Sequence, residues 1–322
     1  MEGCLNEISY INVISPGFQT TVQDLGRYGF AHLGVSASGA ADPVSLRIGN
    51  LLLGNPQNAA ALELTLVGGE YQFESGCVFA LTGSDFGATL DGQEIPLWSS
   101  VKAQAGQILR SGSTRSGARC YLCIGGGINT RRVLGSFSTH VMTSIGGFSG
   151  RPLRGGDRVR FLGQVGDAPF RPQRLKKAVI HQLMHRSVIR VTHGPQADLF
   201  SDEVTALFTT AVYHVTEETN RMGLRLTGSV LKQERAAEMV TEGVALGAVQ
   251  IPPSGEPILL FVEHQTTGGY PKIANVVSAD IHILGQLRPR DSVRFEFISF
   301  ERAHELLLRQ EAMISTQFLE FV

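Results

Sequence analysis

Three polar stretches punctuated by glycine carry the residue types that could do chemistry. The first is Pro16-Gly-Phe-Gln-Thr-Thr-Val-Gln-Asp-Leu-Gly-Arg-Tyr-Gly29, resuming as Gly34-Val-Ser-Ala-Ser-Gly-Ala-Ala-Asp42. Its glycines let backbone N–H groups approach a ligand closely, and Arg27 offers a planar fork to a carboxylate or phosphate. The same composition also suits a capped turn closed by an internal Asp24–Arg27 pair. The second stretch, Gln265-Thr-Thr-Gly-Gly-Tyr-Pro-Lys272, follows an apolar run, and Lys272 is one of only five lysines, the other four lying in ordinary polar contexts. A desolvated ammonium at that place could polarise a carbonyl or hold a phosphoryl oxygen. A lysine at a solvated hairpin end is the plainer alternative. The third and weakest set is Asn220-Arg-Met-Gly223 with Thr241-Glu-Gly-Val-Ala-Leu-Gly-Ala-Val-Gln250. Glu242 and Gln250 could line one cavity with Asn220, although a glutamate before glycine is also a routine turn residue.

Other motifs point away from chemistry. Cys120-Tyr-Leu-Cys123 has redox or zinc spacing but lies in a strand-like run, where residues three apart face opposite sides, so core packing is expected. No second Cys-x-x-Cys completes a zinc site, and His181-Gln-Leu-Met-His185 lacks a third ligand at a matching spacing, so no metal is expected. Gly125-Gly126-Gly127 opens no Gly-x-Gly-x-x-Gly pattern, and neither a phosphate-binding Gly-x-x-x-x-Gly-Lys-Ser/Thr nor a Gly-x-Ser-x-Gly elbow occurs. No Ala-Met-Lys-Met site marks the chain as a biotin carrier.

The elements that must position these residues are mostly strands. Apolar runs bounded by Gly, Pro, Asn or Asp are expected as strands at Tyr10 to Ile14, Glu70 to Phe73, Val78 to Leu81, Ala118 to Ile124, Val159 to Leu162, Val188 to Thr192, Ala211 to Val215, Ile258 to Val262 and Val293 to Ile298. Helices are expected only at Pro43 to Leu53, capped by Asp42, in parts of Ala197 to Thr209, and at Phe300 to Met313. An internal echo sets the domain plan: Leu153-Arg-Gly-Gly-Asp-Arg-Val-Arg-Phe161 matches Leu287-Arg-Pro-Arg-Asp-Ser-Val-Arg-Phe295 at six of nine positions. Each copy reads as a turn carrying an acid, then a strand suited to closing a barrel. The expected plan is a first β lobe over residues 1–163, a connector over 164–186, a second β lobe over 187–299 and a C-terminal helix and tail over 300–322.

With 322 residues, the chain is long enough for two ordinary cores. Its 28 basic and 29 acidic side chains leave a formal charge of −1 and no basic stripe, which argues against nucleic acid. No run approaches the ~20 apolar residues that cross a bilayer. The few cysteines and the lack of a basic, then apolar leader favour a cytoplasmic protein.

These clusters in this order resemble the family of biotin-dependent carboxyltransferases and 5-oxoprolinase C subunits, which includes allophanate hydrolase subunit 2 and antagonists of a sporulation-kinase inhibitor. The matching stretches are Pro16 to Arg27, Gly34 to Asp42, Leu81-Thr-Gly-Ser-Asp-Phe86, Gly125-Gly-Gly-Ile128, Arg151-Pro-Leu153, Gly194-Pro-Gln196, Asn220 to Gly223 and Gln265 to Lys272. The resemblance implies a mainly β protein with two cyclophilin-like β-barrel lobes and a few short helices. It implies the C component of a 5-oxoprolinase complex, in which A-type and B-type (allophanate hydrolase subunit 1-like) partner proteins join it. That complex uses ATP to open the small anionic lactam 5-oxoproline to glutamate. The site it implies has Lys272 and Asp24 as catalytic residues and Arg27 on the substrate carboxylate. Gln265, Thr266, Thr267, Asn220, Gln250 and Glu242 then bind substrate, the two distant turns meeting in one cleft. ATP acts at the level of the complex. Two alternatives stand beside it: a carboxyltransferase moving a carboxyl group from carboxybiotin to urea or an amide, and a non-catalytic antagonist of a kinase inhibitor. The chain departs from the family pattern at Phe137, where members often carry a cation, and at Glu263-His264, where an Asp-Arg pair is common.

Overall fold

The computed structural model describes residues 9–163, 170–184, 188–233 and 239–322. The chain divides into two compact units: Met1–Arg27, Ser38–Leu183 and Met313–Val322 in one, Tyr28–Ala37 and Met184–Ala312 in the other. One break, between Leu183 and Met184, falls within the stretch read as a connector; the others, after Arg27, Ala37 and Ala312, do not. Over its described part that stretch forms a strand, Gln173–Leu175, and a helix, Lys177–Met184. The strand pairs with Leu319–Phe321 of the C-terminal tail.

In the first unit the strands form a six-stranded and a five-stranded sheet rather than one hydrogen-bonded ring. The first sheet runs Arg158–Phe161, Ser9–Ser15, Glu70–Phe73, Ile108–Arg110, Thr89–Leu90 and Gln93–Glu94. The second runs Gln19–Gln23, Ala61–Thr65, Arg119–Ile124, Cys77–Gly83 and Ser100–Ala103. Alternation along each strand sends one set of apolar side chains inward, and Ile11, Tyr71 and Phe73 of the first sheet share a core with Leu62, Phe79 and Leu122 of the second. Helix Pro43–Leu51 covers the outer face of the second sheet, where Leu46 packs with Ala61, Tyr121 and Cys123. Asp42 starts it as expected, its carboxylate accepting from Ser45 N at 2.9 Å. Gly49 lets the helix approach, because a Cβ there would lie 2.5 Å from Cys123 Sγ. Cys120 and Cys123 do face opposite sides of their strand, one in each cluster, and burial raises both thiols well above the reactive range. His185 and Cys4 lie outside the described residues.

The second unit is a closed seven-stranded barrel in the order Val188–His193, Lys272–Val276, Ala248–Gln250, Ile258–Leu260, Gly223–Thr227, Tyr213–Val215 and Ser292–Phe297. It closes where Val188 to Val191 run parallel to Arg294 to Phe297. Helix Asp202–Thr210, capped by Ser201, lays Phe208 against Phe295, ring centroids 4.4 Å apart. A two-residue ribbon, Glu242–Gly243 with Thr267–Gly268, stands apart from the barrel strands in pairing.

The sequence echo is a structural repeat. Asp157 Oδ2 accepts from Arg154 N at 2.7 Å and Asp291 Oδ2 from Arg288 N at 2.8 Å, the same acid-closed turn in each unit. In both, the residue before the acid has positive φ, Gly156 at 88° and Arg290 at 74°. In both, the turn exchanges two backbone hydrogen bonds with one valine of a neighbouring strand, Val13 in the first unit and Val215 in the second.

Candidate functional site

Asp24 and Arg27 belong to the first unit, while Lys272, Gln265, Thr266, Thr267, Asn220, Gln250 and Glu242 belong to the second. Asp24 is buried and its carboxylate accepts four hydrogen bonds: from Ser136 Oγ at 2.6 Å, Ser138 Oγ at 2.5 Å, Phe137 N at 2.6 Å and Gly26 N at 2.8 Å. Arg27 is only 2% exposed, and its guanidinium donates to the Ser138 carbonyl. The segment Gly135 to Thr139 is therefore stitched onto the first polar loop by the acid and base read there as functional. Gln23 Nε2 adds a bond to Thr139 O at 3.0 Å. Phe137 carries the Arg132 guanidinium 4.7 Å from its ring centroid.

In the second unit Glu242 and Gln196 contact Lys272, and Gln250 is its register partner. The Lys272 side chain is 3% exposed, and its ammonium meets Glu242 Oε1 at 2.5 Å. The same oxygen accepts from Gln196 Nε2 at 2.7 Å. Gln196 Oε1 in turn accepts from the Lys272 backbone N–H at 3.2 Å, which fixes which end of that amide faces Glu242. Gly194 makes this possible: the turn crosses the Lys272 strand so tightly that a Cβ at 194 would sit 2.2 Å from Lys272 O. The Lys272 and Gln196 hydrogen bonds hold the Glu242 carboxyl below the usual carboxylate range. Glu242 is nevertheless largely open to water, its side chain 44% exposed.

Gln250 lies opposite Lys272 in the strand register. It is 1% exposed; its Oε1 accepts from Gln265 Nε2 at 3.3 Å, and its Nε2 has no partner among the described residues. Both glutamines line a cavity of about 180 Å³ together with Asn220, Met222, Leu260 and Tyr270. Asn220 also closes its own turn, its Oδ1 accepting from Met222 N at 2.8 Å. Thr266 and Thr267 contribute through backbone, Thr266 O accepting from Val244 N at 3.1 Å and Thr267 pairing with Gly243. Arg221, between Asn220 and Met222 in the chain, forms a buried ion pair with Glu263. His264 Nδ1 lies 2.6 Å from Gln265 O, so the nitrogen donates to a carbonyl that can only accept. Burial lowers the His264 pKa, with that hydrogen bond opposing it. Among the described residues no group of three or more His, Cys, Asp or Glu could hold a metal ion, and no helix is long and apolar enough to cross a membrane.

Residues 33–297 match the family described as carboxyltransferase domain, subdomain A and B. The chain belongs to that family. Among its carboxyltransferase-domain relatives, the 5-oxoprolinase C subunit of Escherichia coli is 38% identical over 91% of this chain and 93% of its own length. That of Haemophilus influenzae is 34% identical over 94% and 95%. The K. lactis urea amidolyase superposes with a TM-score of 0.89 at 33% identity, covering 95% of this chain but only 20% of that longer protein.

Two parts of this carboxyltransferase-domain site escape a reading of the sequence. Gln196 is visible as part of Gly194-Pro-Gln196, but its role depends on a crossing with a strand 76 residues later. Arg221 is visible inside Asn220-Arg-Met-Gly223, yet its partner Glu263 is 42 residues away.

Proposed function

We propose that this chain is the C component of a 5-oxoprolinase, acting with A-type and B-type partner proteins in ATP-driven opening of 5-oxoproline to glutamate. The observation that carries the reading is the near end-to-end match to two bacterial proteins of that name, combined with a buried ammonium on a strand whose register partner, Gln250, lines an amide-bearing cavity. The lactam carbonyl is a poor electrophile because its nitrogen lone pair is delocalised into it. ATP supplies activation of that oxygen. This chain has no glycine-rich phosphate loop, so nucleotide binding is assigned to the partners. Lys272 meets the activated oxygen, where a fixed positive charge stabilises developing negative charge. Gln250, Gln265 and Asn220 orient the ring amide, and Gln250 Nε2, which has no partner among the described residues, fits an acceptor oxygen. Asp24 and Arg27 are assigned to holding Gly135 to Thr139 in place, since both are buried in that contact.

The second reading is carboxyl transfer, favoured by the close likeness to the K. lactis urea amidolyase. Biotin would supply the carboxyl group, and its ureido oxygen suits the same Gln250 donor. Co-expression with the partner proteins, followed by assay of ADP and glutamate release with 5-oxoproline, and of urea carboxylation with carboxybiotin, separates the two. Glutamate release alone supports the first; carboxylation alone replaces it with the second.

A further inference from the structure

Two donors in the second unit converge on a single oxygen atom. Lys272 Nζ and Gln196 Nε2 lie 2.5 and 2.7 Å from Glu242 Oε1. The donors are firmly placed: Lys272 is enclosed on a barrel strand, and Gln196 is oriented by the Lys272 backbone and by the Gly194 crossing. The acceptor is not comparably held. Glu242 is exposed and sits on a ribbon only two residues long in each strand. A preorganised pair of donors with a loosely mounted carboxylate between them has the form of an oxyanion cradle occupied by a surrogate.

We infer that Lys272 and Gln196 together form a binding site for one carboxylate or carbonyl oxygen of a small substrate, and that Glu242 fills it until that substrate arrives. The inference rests on the proposed function and extends it, adding Gln196 as a specificity-determining donor and making Glu242 a competitor of substrate rather than its ligand. An oxygen bearing negative charge replaces Glu242 most readily, because it restores both charge-assisted hydrogen bonds. A neutral amine, with a single lone pair, cannot accept from both donors, and an ammonium, which only donates, is repelled by Lys272.

Lys272 reactivity tests this without assuming any catalytic activity. The full-length chain is reductively methylated with and without sodium acetate as a probe monocarboxylate, and labelling at each of the five lysines is read by peptide mass. In wild type, Lys272 is expected to label slowly and to ignore acetate. In Glu242→Ala, Lys272 should label faster and acetate should slow it about tenfold, with Lys102 as the unaffected control, since a charged hydrogen bond is worth about 1.5–3 kcal/mol and each 1.4 kcal/mol is tenfold. Gln196→Glu, introduced beside Glu242→Ala, keeps an oxygen facing the Lys272 N–H but replaces the donor by an acceptor. Acetate protection should then vanish in a chain that circular dichroism finds folded. Failure of acetate to protect Lys272 in Glu242→Ala, or equal protection in the double variant, overturns the cradle. If the assembled complex leaves 5-oxoproline intact while acetate still protects Lys272, the cradle stands and the proposed reaction falls.

Discussion

Gly194 presses against the Lys272 backbone so closely that any side chain at 194 would collide with the Lys272 carbonyl, the ideal Cβ lying 2.2 Å from it. The contact is with backbone, which cannot swing aside as a flexible side-chain end can. Gly194→Ala is expected to cost about 1–3 kcal/mol and to displace Gln196 from Glu242. Thermal unfolding of the isolated chain should register a lower midpoint, and an unchanged midpoint would mean that the turn has slack.

Asp24 is expected to be a stability residue of the first unit. Asp24→Ala leaves two hydroxyls and two backbone N–H groups near it without their acceptor. Each buried donor left unsatisfied costs about 1–3 kcal/mol, so a total above about 3 kcal/mol is expected by urea denaturation. Ser136→Ala removes one of those bonds and the one Ser136 Oγ accepts from Ser138 N, and should cost about 2 kcal/mol, less than Asp24→Ala. Equal losses for the two variants would argue against the shared-acceptor arrangement.

How much of this is legible in the sequence differs from residue to residue. The Asp42 cap, the helix Phe300–Met313 and the strand Glu70–Phe73 follow from local chemistry, so the sequence shows them directly. The echo is legible because an Asp-closed turn needs its acid at a fixed offset, and both copies keep it. Hydrogen-bond closure is not: the same alternating strands serve a sealed ring in the second unit and two separate sheets in the first, and the choice depends on long-range register. Nor is the assignment of Tyr28–Ala37 to the second unit, which interrupts a continuous polar stretch. At the site, Lys272 stands out by rarity and context. Gln196, a common residue in a common turn, acquires meaning only once the Lys272 strand lies beneath it.

The pair Glu263 forms with Arg221 is enclosed, the two side chains 0% and 7% exposed. Glu263→Gln retains shape but removes the negative charge that faces a buried guanidinium. Losses of this kind run to about 3–5 kcal/mol. Denaturant midpoints at neutral pH check this, and a change under about 1 kcal/mol would imply that water reaches the pair.

His264 predicts a pH signature. Its pKa in the folded chain is lowered by burial, below the ordinary value of about 6.5. Between those two values the unfolded chain binds more protons than the folded one, so stability rises with pH across that window and falls as pH drops through it. His264→Asn keeps an amide donor for Gln265 O and removes the titration. The slope of stability against pH below about 6.5 should flatten. A slope identical to wild type would assign the acid sensitivity elsewhere.

The most direct measurement is glutamate release from 5-oxoproline and ATP by the reconstituted complex carrying Lys272→Met, which keeps the stem of the side chain and removes its charge. Complex assembly should persist on gel filtration while kcat falls at least about a hundredfold, the loss expected on removing one preorganised donor to a developing oxyanion. A complex that assembles normally and turns over 5-oxoproline at the wild-type rate would contradict a catalytic role for Lys272.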